Sequence, residues 1–306
     1  MIEPLSSSTA AFFRRSQTQM SDLQGQAERL QQQIATGERL ERSSDDPVAA
    51  ARLRDLARQE RLADVDAGNS NLVTNELRDA SANIGDIADA LIRVRELTLQ
   101  AGTDTIQEQG RIAIADEIDV LRDSIFANIN ASSSAGRSLF GGETEGPAYT
   151  LDAAGNAIYA GSANSSSLTI ADGVSIERGV TGPDVLNFDN QGTPTDVLAF
   201  LQSLSGALRG GVADPGAFAR DALPGVESAI DTTGRNQAVI GARLAWVDTV
   251  DTSQQLRGET RAIETAEVGG TDLASAISRL QQVLTVLEAS QASFARLSSL
   301  TLFDRI

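Results

Sequence analysis

The chain has 306 residues, 41% of them hydrophobic, which leaves room for two or three domains with real cores. Its 42 acidic residues outweigh 25 basic ones to give a formal net charge of -17, a balance that repels nucleic acid and anionic lipid at long range. Every basic residue is Arg, and Lys, His and Cys are absent; this excludes imidazole and thiolate metal sites, Ser-His and Cys-His nucleophile pairs, Schiff-base lysines and the P-loop lysine.

A chain without Cys fits a protein that must avoid disulfides in an oxidising space, and fits a reduced compartment equally well. The first twenty residues lack the basic start, apolar core and small-residue cleavage site of a secretory signal. Nowhere do ~18 apolar residues run together as a membrane span requires. The sequence therefore predicts neither a cleaved signal nor a transmembrane helix.

In chain order, Met1 to Thr9 is polar, and Pro4 disfavours helix before about residue 5. A helix then runs to about Thr36, with Met20, Leu23, Ala27, Leu30 and Ile34 alternating steps of three and four, and Gly37 placed to end it. Ser43-Ser44-Asp45-Asp46-Pro47, followed by Val48 and three alanines, reads as a helix start: a capping side chain, Pro where its missing amide costs nothing, and acidic charge at the positive end of the dipole. A catalytic role for the acidic pair is the weaker reading, because the cap explains both residues.

The helix from Asp46 carries a sparse stripe at Ala49, Leu53 and Leu56 and meets a polar stretch at Gly68-Asn69-Ser70-Asn71. Val73, Leu77, Ala80, Ile84, Ile87, Leu91 and Val94 then restore the spacing as far as Ala101, and Gly102 breaks it. Ile114, Ile118, Leu121 and Ile125 mark a further helix, so the two arms predict a helical hairpin.

From Leu139 onward Gly, Ser, Asn and Thr dominate. Tyr149-Thr150-Leu151 and Ala157-Ile158-Tyr159 predict one hairpin, and Leu168-Thr169-Ile170 with Val174-Ser175-Ile176 a second around Asp172-Gly173. Gly-rich boundaries at 141 to 142 and 192 to 193 suggest an isolated insertion. Asp184, Asp189 and Asn190 lack the alternate oxygen spacing of a calcium loop, so turn chemistry is the better reading.

Helix returns at Val197, Leu198, Leu201 and Leu204. After Gly210-Gly211, Asp214-Pro215 opens another, carried by Val226, Ile230, Ile240, Leu244 and Val247, with a kink expected at Pro224. Gly269-Gly270 acts as a joint. Beyond it Thr271 or Asp272 can cap a last helix, whose stripe is Leu273, Ile277, Leu280, Leu284 and Leu287, lapsing at Gln291 and resuming at Phe294, with Leu297 and Leu300 further along.

At ~1.5 Å per residue this helix reaches roughly 50 Å, more than one small core covers, so it needs a partner. The N-terminal stripe or neighbouring copies can supply it; two ordinary amphipathic helices folded on a central core fit the pattern as well. Met20, Leu23, Leu30 and Ile34, with Leu273, Ile277, Leu280, Leu284, Leu287, Phe294, Leu297 and Leu300, form the candidate assembly interface. The predicted fold is mainly α: a long heptad-patterned helical bundle formed by the N- and C-terminal segments, with a small all-β insertion in the middle.

Several motifs carry a resemblance. They are Thr36-Gly37-Glu38-Arg39 with Ser43-Ser44-Asp45-Asp46-Pro47, then Ile92-Arg93-Val94-Arg95-Glu96-Leu97 with Gln100-Ala101, and Arg137-Ser138-Leu139-Phe140-Gly141-Gly142. Ile240-Gly241-Ala242-Arg243-Leu244 and Leu302-Phe303 match more weakly. With these the chain resembles the hook-associated protein 3 family, flagellin-related proteins of the junction between flagellar hook and filament, although it begins Met1-Ile2-Glu3-Pro4-Leu5 where that family usually begins Met-Arg-Ile-Ser.

The resemblance implies a structural, non-enzymatic protein without cofactor. Its terminal helices (1–42 and 267–306) would form the inner wall of a tube, a helical bundle (43–142 and 193–266) the next shell, and the β insertion (143–192) the outer face. It also implies export through the flagellar channel without a cleaved signal. The implied partners are copies of itself, hook-associated protein 1, flagellin and an export chaperone. A short flagellin of the filament shaft remains the nearest alternative. A secreted coiled-coil adhesin, or a glycoside hydrolase using two carboxylates of the insertion, fits less of the sequence: the adhesin lacks the motifs, and only 4% of residues are aromatic.

Overall fold

The computed structural model describes the backbone of residues 5–40 and 42–303 and the side chains of 11–40 and 42–296. The chain divides into two compact units, residues 1–61 with 257–306, and residues 62–256. Seven α-helices and three β-hairpins make up the described residues.

The first unit holds α1 (Leu5–Thr36), the start of α2 (Pro47–Ala101), the end of α6 (Pro215–Gly269) and α7 (Leu273–Phe303). α1 packs along α7 in the antiparallel sense, since Phe13 near the start of one meets Phe294 near the end of the other, edge to face at 5.2 Å. In the same unit Arg52 grips Glu264 with two bonds of 2.5 and 2.8 Å, and Arg261 meets Glu60 at 2.9 Å, so charge pairs tie α2 to α6. The caps have the chemistry their sequences predict. Asp46 Oδ1 accepts from the Ala49 amide at 3.0 Å, and Asp272 Oδ1 accepts from the amides of Ala274 and Ser275.

The second unit is built on the rest of α2. Val73, Leu77, Ala80, Ile84, Ile87, Leu91 and Val94 are all buried, as a period near 3.6 demands of a helix covered along one face. They share one apolar cluster with Ile114, Ile118 and Ile125 of α3 (Glu108–Ile129), Val197, Leu201 and Leu204 of α5 (Val197–Gly206), and Val226, Ile240 and Val247 of α6. α2 continues through the polar stretch at 68–71, where Ser70 is buried and Asn69 donates to the Thr169 carbonyl at 2.7 Å. α6 likewise contains Pro224 without ending there.

α5 begins on Asp196, whose Oδ1 accepts from the amides of Leu198 and Ala199. Burial pushes that carboxyl above the ordinary range, and the two amides pull it partly back. The helix ends in a π-type turn over Ala207–Gly211, where Arg209 fastens to Asp116 at 2.7 Å and Asp119 at 2.6 Å.

Between α3 and α5 lie three separate two-stranded hairpins and one short helix. β1 (Tyr149–Leu151) pairs with β2 (Ala157–Tyr159), and β3 (Ser167–Ala171) with β4 (Val174–Glu177), which are the two hairpins the sequence predicts. The third, β5 (Asn187–Asn190) with β6 (Thr193–Asp196), was hidden by the polar run Thr-Pro-Thr-Asp. Asp184 and Asp189 are turn residues, as expected: Asp184 accepts from the amide and hydroxyl of Thr181 at the start of α4 (Gly182–Leu186), and Asp189 accepts from the Gly192 amide.

The insertion is not isolated, which corrects the reading of its glycine boundaries. Glu76 of α2 is 1% exposed and receives two bonds from Arg178, at 2.7 and 2.6 Å, and two from Arg137, at 3.4 and 2.9 Å. Ile170 and Ile176 of the second hairpin belong to the helical core. Gly142 sits at φ 68°, and a Cβ there would lie 2.4 Å from Ser162 Oγ and 2.5 Å from the Asn164 carbonyl. Glycine at this boundary permits a tight turn under the fully buried Phe140, so it marks close packing and not a linker.

Glu76→Ala takes the buried carboxylate from two largely sheltered guanidiniums and is expected to cost the second unit about 3 kcal/mol in urea unfolding. Arg52→Ala, at an exposed pair, should move the midpoint little. Equal small shifts would show that the buried triad holds nothing.

Candidate assembly interface

The terminal helices of the first unit hold the residues expected to mediate assembly. The sheltered positions on α1 include Phe13, Ser16, Met20, Leu23, Ala27, Leu30 and Ile34, an alternation of three and four that takes in every stripe residue read from the sequence, with Ala11, Gly25 and Gln33 sheltered beside it. On α7 they are Ala276, Leu280, Val283, Leu287, Ser290 and Phe294. The seam within the chain is thus offset from the predicted stripe. Only Leu280, Leu287 and Phe294 belong to both.

Leu273, Ile277 and Leu284 are 49%, 44% and 37% exposed and share one flank of the helix, so α7 carries a second apolar stripe that α1 does not cover. Leu297 and Leu300 lie on the α7 backbone, but their side chains fall outside the described residues. The signal for the true seam was present in the sequence. Gln291 breaks the Leu-based pattern, whereas Ala276, Val283 and Ser290 keep the offset one intact. Small side chains at those positions let the helices approach, and Ala27 and Ala276 are each only 5% exposed.

Electrostatics does not oppose the pairing. α1 and α7 carry Arg14, Arg15, Arg29, Arg279 and Arg296 against Asp22, Glu28 and Glu288, nearly neutral in a chain of formal charge -17. Helices meeting neighbours in a crowded assembly therefore escape the self-repulsion of the acidic remainder.

Where the two helices join the rest of the unit, Glu38 and Gly270 form an antiparallel bridge. The Arg39 amide donates to the Gly269 carbonyl at 2.8 Å, and the Thr271 amide to the Gly37 carbonyl at 2.9 Å. Gly37 ends α1 at φ 73°. The Arg39 guanidinium reaches the Val268 carbonyl at 3.0 Å and Asp46 Oδ2 at 3.2 Å. Asp45 Oδ2 accepts from the Arg42 amide, so both carboxylates of the acidic pair serve the turn and the cap.

The Ala49 amide, and then Arg39, hold the Asp46 carboxyl below its ordinary range, and the Ser275 amide does the same for Asp272. Among the described residues no group of acidic side chains is placed to hold a metal ion. No helix is long and apolar enough to cross a membrane among them.

Residues 8–145 match the family model of the bacterial flagellin N-terminal helical region. Over 319 aligned residues the chain is 23% identical to flagellar hook-associated protein 3 of Escherichia coli K12, covering 97% of this chain and 98% of that protein. A flagellar hook-associated protein from Vibrio parahaemolyticus shares the fold with a TM-score of 0.68 at 21% identity, over 74% of this chain and 100% of that structure. The flagellar junction protein of Legionella pneumophila does so at 0.59 and 14% identity, over 71% and 99%. Fold, terminal helices and the match over residues 8–145 together make the chain similar to the flagellin-related structural proteins of the bacterial flagellum. Within that class, its whole length resembles hook-associated protein 3.

The two caps give a pH dependence. Because the folded state lowers the carboxyl of Asp46, its contribution is complete above the ordinary carboxylate range and is lost as pH falls through the lowered value. Asp46→Asn should therefore lower the melting temperature at neutral pH, and the gap from the parent protein should close on acidification. A gap that is constant with pH would contradict the cap.

Proposed function

We propose that this protein works as hook-associated protein 3, seated between hook and filament and assembling through α1 and α7. The observation that carries the reading is the similarity along nearly the full length of both chains to hook-associated protein 3, with the coverage given above. A flagellin N-terminal region alone would fit a filament subunit equally well. The unpartnered stripe Leu273, Ile277 and Leu284, beside the seam used within the chain, supports a helix pair that meets other copies.

On this reading Met20, Leu23, Leu30 and Ile34 lock α1 to α7, and the exposed stripe of α7 faces its neighbours in the inner wall of a tube. Residues 43–142 and 193–266 form the surrounding shell, and 143–192 the outer face. The partners are further copies, hook-associated protein 1 on the hook side, flagellin on the filament side, and an export chaperone that shields the α7 stripe before assembly. The protein acts outside the cell, reached by flagellar export without a cleaved signal, and performs no catalysis.

Electron microscopy of a strain lacking the protein tests this: hooks without filaments are expected, and immunogold should label a band at the hook end. Label along the whole filament would make it a flagellin instead. Leu284→Asp, on the exposed stripe, should leave the melting temperature of the monomer nearly unchanged while abolishing filament growth and motility. Gln282→Asp, at an exposed position, should change neither melting temperature nor motility. Unfolding of the monomer by Leu284→Asp would return that residue to an internal core.

A further inference from the structure

The tip of the second hairpin carries a dipeptide that neither packing nor assembly accounts for. Asp172-Gly173 is the single Asp-Gly pair of the sequence, which holds no Asn-Gly. Both residues are exposed, and they form the two-residue loop beyond the last pair of the ladder, Ala171 with Val174. Gly173 sits at φ 72°, and a Cβ built on it would meet nothing within 4 Å. Its amide therefore stands in an open turn outside the ladder, next in the chain to the Asp172 carboxyl and within reach of water.

On the ladder side of this loop the contacts are buried. Ile170 and Ile176 lie in the core of the second unit, and Leu168 and Val174 pack against it. The Thr169 carbonyl accepts from Asn69 of α2, and just past the end of β4 Arg178 grips Glu76. The register already shifts between Thr169 and Ala171, so the short loop is what keeps the ends of β3 and β4 in step.

We propose that Asp172-Gly173 is a site of spontaneous backbone isomerisation to isoaspartate, and that the product loosens the hold of the second hairpin on α2. The Gly173 nitrogen attacks the side-chain carboxyl carbon of Asp172. A new N–C bond closes a cyclic imide, and the carboxyl hydroxyl leaves with the amide proton as water. Water then adds at the Asp172 backbone carbonyl and breaks its bond to the Gly173 nitrogen, so the chain runs through the side-chain carbonyl and the α-carboxylate is free. Atoms balance over the two steps, and water is the only other reactant. Glycine permits the closure, because no Cβ crowds the attacking nitrogen. The product lengthens the loop by one methylene, which so short a connection cannot absorb without moving the ladder. It also presents a free α-carboxylate at an exposed tip, the group that isoaspartate-repairing methyltransferases take as substrate.

Full-length protein incubated at neutral pH and physiological temperature tests this, with isoaspartate read by enzymatic methylation and localised by peptide mapping. The parent should accumulate it slowly at residue 172. Asp172→Asn closes the same imide with loss of ammonia, and should accumulate isoaspartate there several-fold faster. Asp172→Glu, whose side chain would have to close a larger ring, should accumulate none at that position. Each protein is compared with itself before and after incubation in urea unfolding, and the separated isoaspartate form should unfold at a lower midpoint. Conversion that occurs only in denatured chains, or equal isoaspartate in the peptide of Asp172→Glu, overturns the site. An isoaspartate form with an unchanged midpoint overturns the loosening of the hairpin. None of these outcomes bears on where the protein sits in the flagellum, which the deletion strain decides.

Discussion

The first unit depends on one constraint: α1 has a single apolar stripe and α7 has more apolar surface than α1 can cover. Burying a leucine is worth about 1.5 to 3 kcal/mol, and two helices of 32 and 31 residues need several such contacts to offset the cost of ordering them. The offset seam meets that need with Leu280, Val283, Leu287 and Phe294 against α1, while Leu273, Ile277 and Leu284 remain in water. A protein that only had to fold would gain by making the second stripe polar. One that must also join copies of itself keeps it.

The second unit is governed by a buried charge. Glu76 lies inside an apolar cluster and is compensated by two guanidiniums from sequence positions on either side of the first two hairpins, Arg137 and Arg178. Such a cluster stabilises the fold no more than a well-packed apolar one would, yet it tolerates few alternative arrangements, since any misplacement strands a charge. It therefore fixes where the β region lies on α2. The Phe140-Gly141-Gly142 turn serves the same end, with the Phe140 carbonyl accepting from the Gly182 amide at 2.8 Å and from the Tyr159 hydroxyl.

Much of this was legible in the sequence because it follows periodicity. The buried stripe from Val73 to Val94, the caps at Asp46 and Asp272, and two of three hairpins are local patterns with local causes. What escaped depends on the partner surface. Ala276 and Ser290 look like lapses beside Leu273 and Leu284, so the offset pattern, although unbroken in the sequence, outweighs the leucines only once the packed helix shows small residues lining the seam. Glu76 reads as one more solvated acid on a long helix, because its two arginines lie 61 and 102 residues away. The glycines at 141 and 142 look like a linker until the neighbouring Ser162 and Asn164 are in place.

Adjacent positions on α7 offer the most direct test, because Ala276 is 5% exposed and Ile277 is 44% exposed. Single thiols placed by Ala276→Cys and Ile277→Cys can be titrated with a maleimide, first in the monomer and then in assembled flagella. The account predicts a slow thiol at 276 in both states, and a thiol at 277 that is fast in the monomer and protected on assembly. Equal rates in the monomer, or a thiol at 277 that stays fast in flagella, would contradict it.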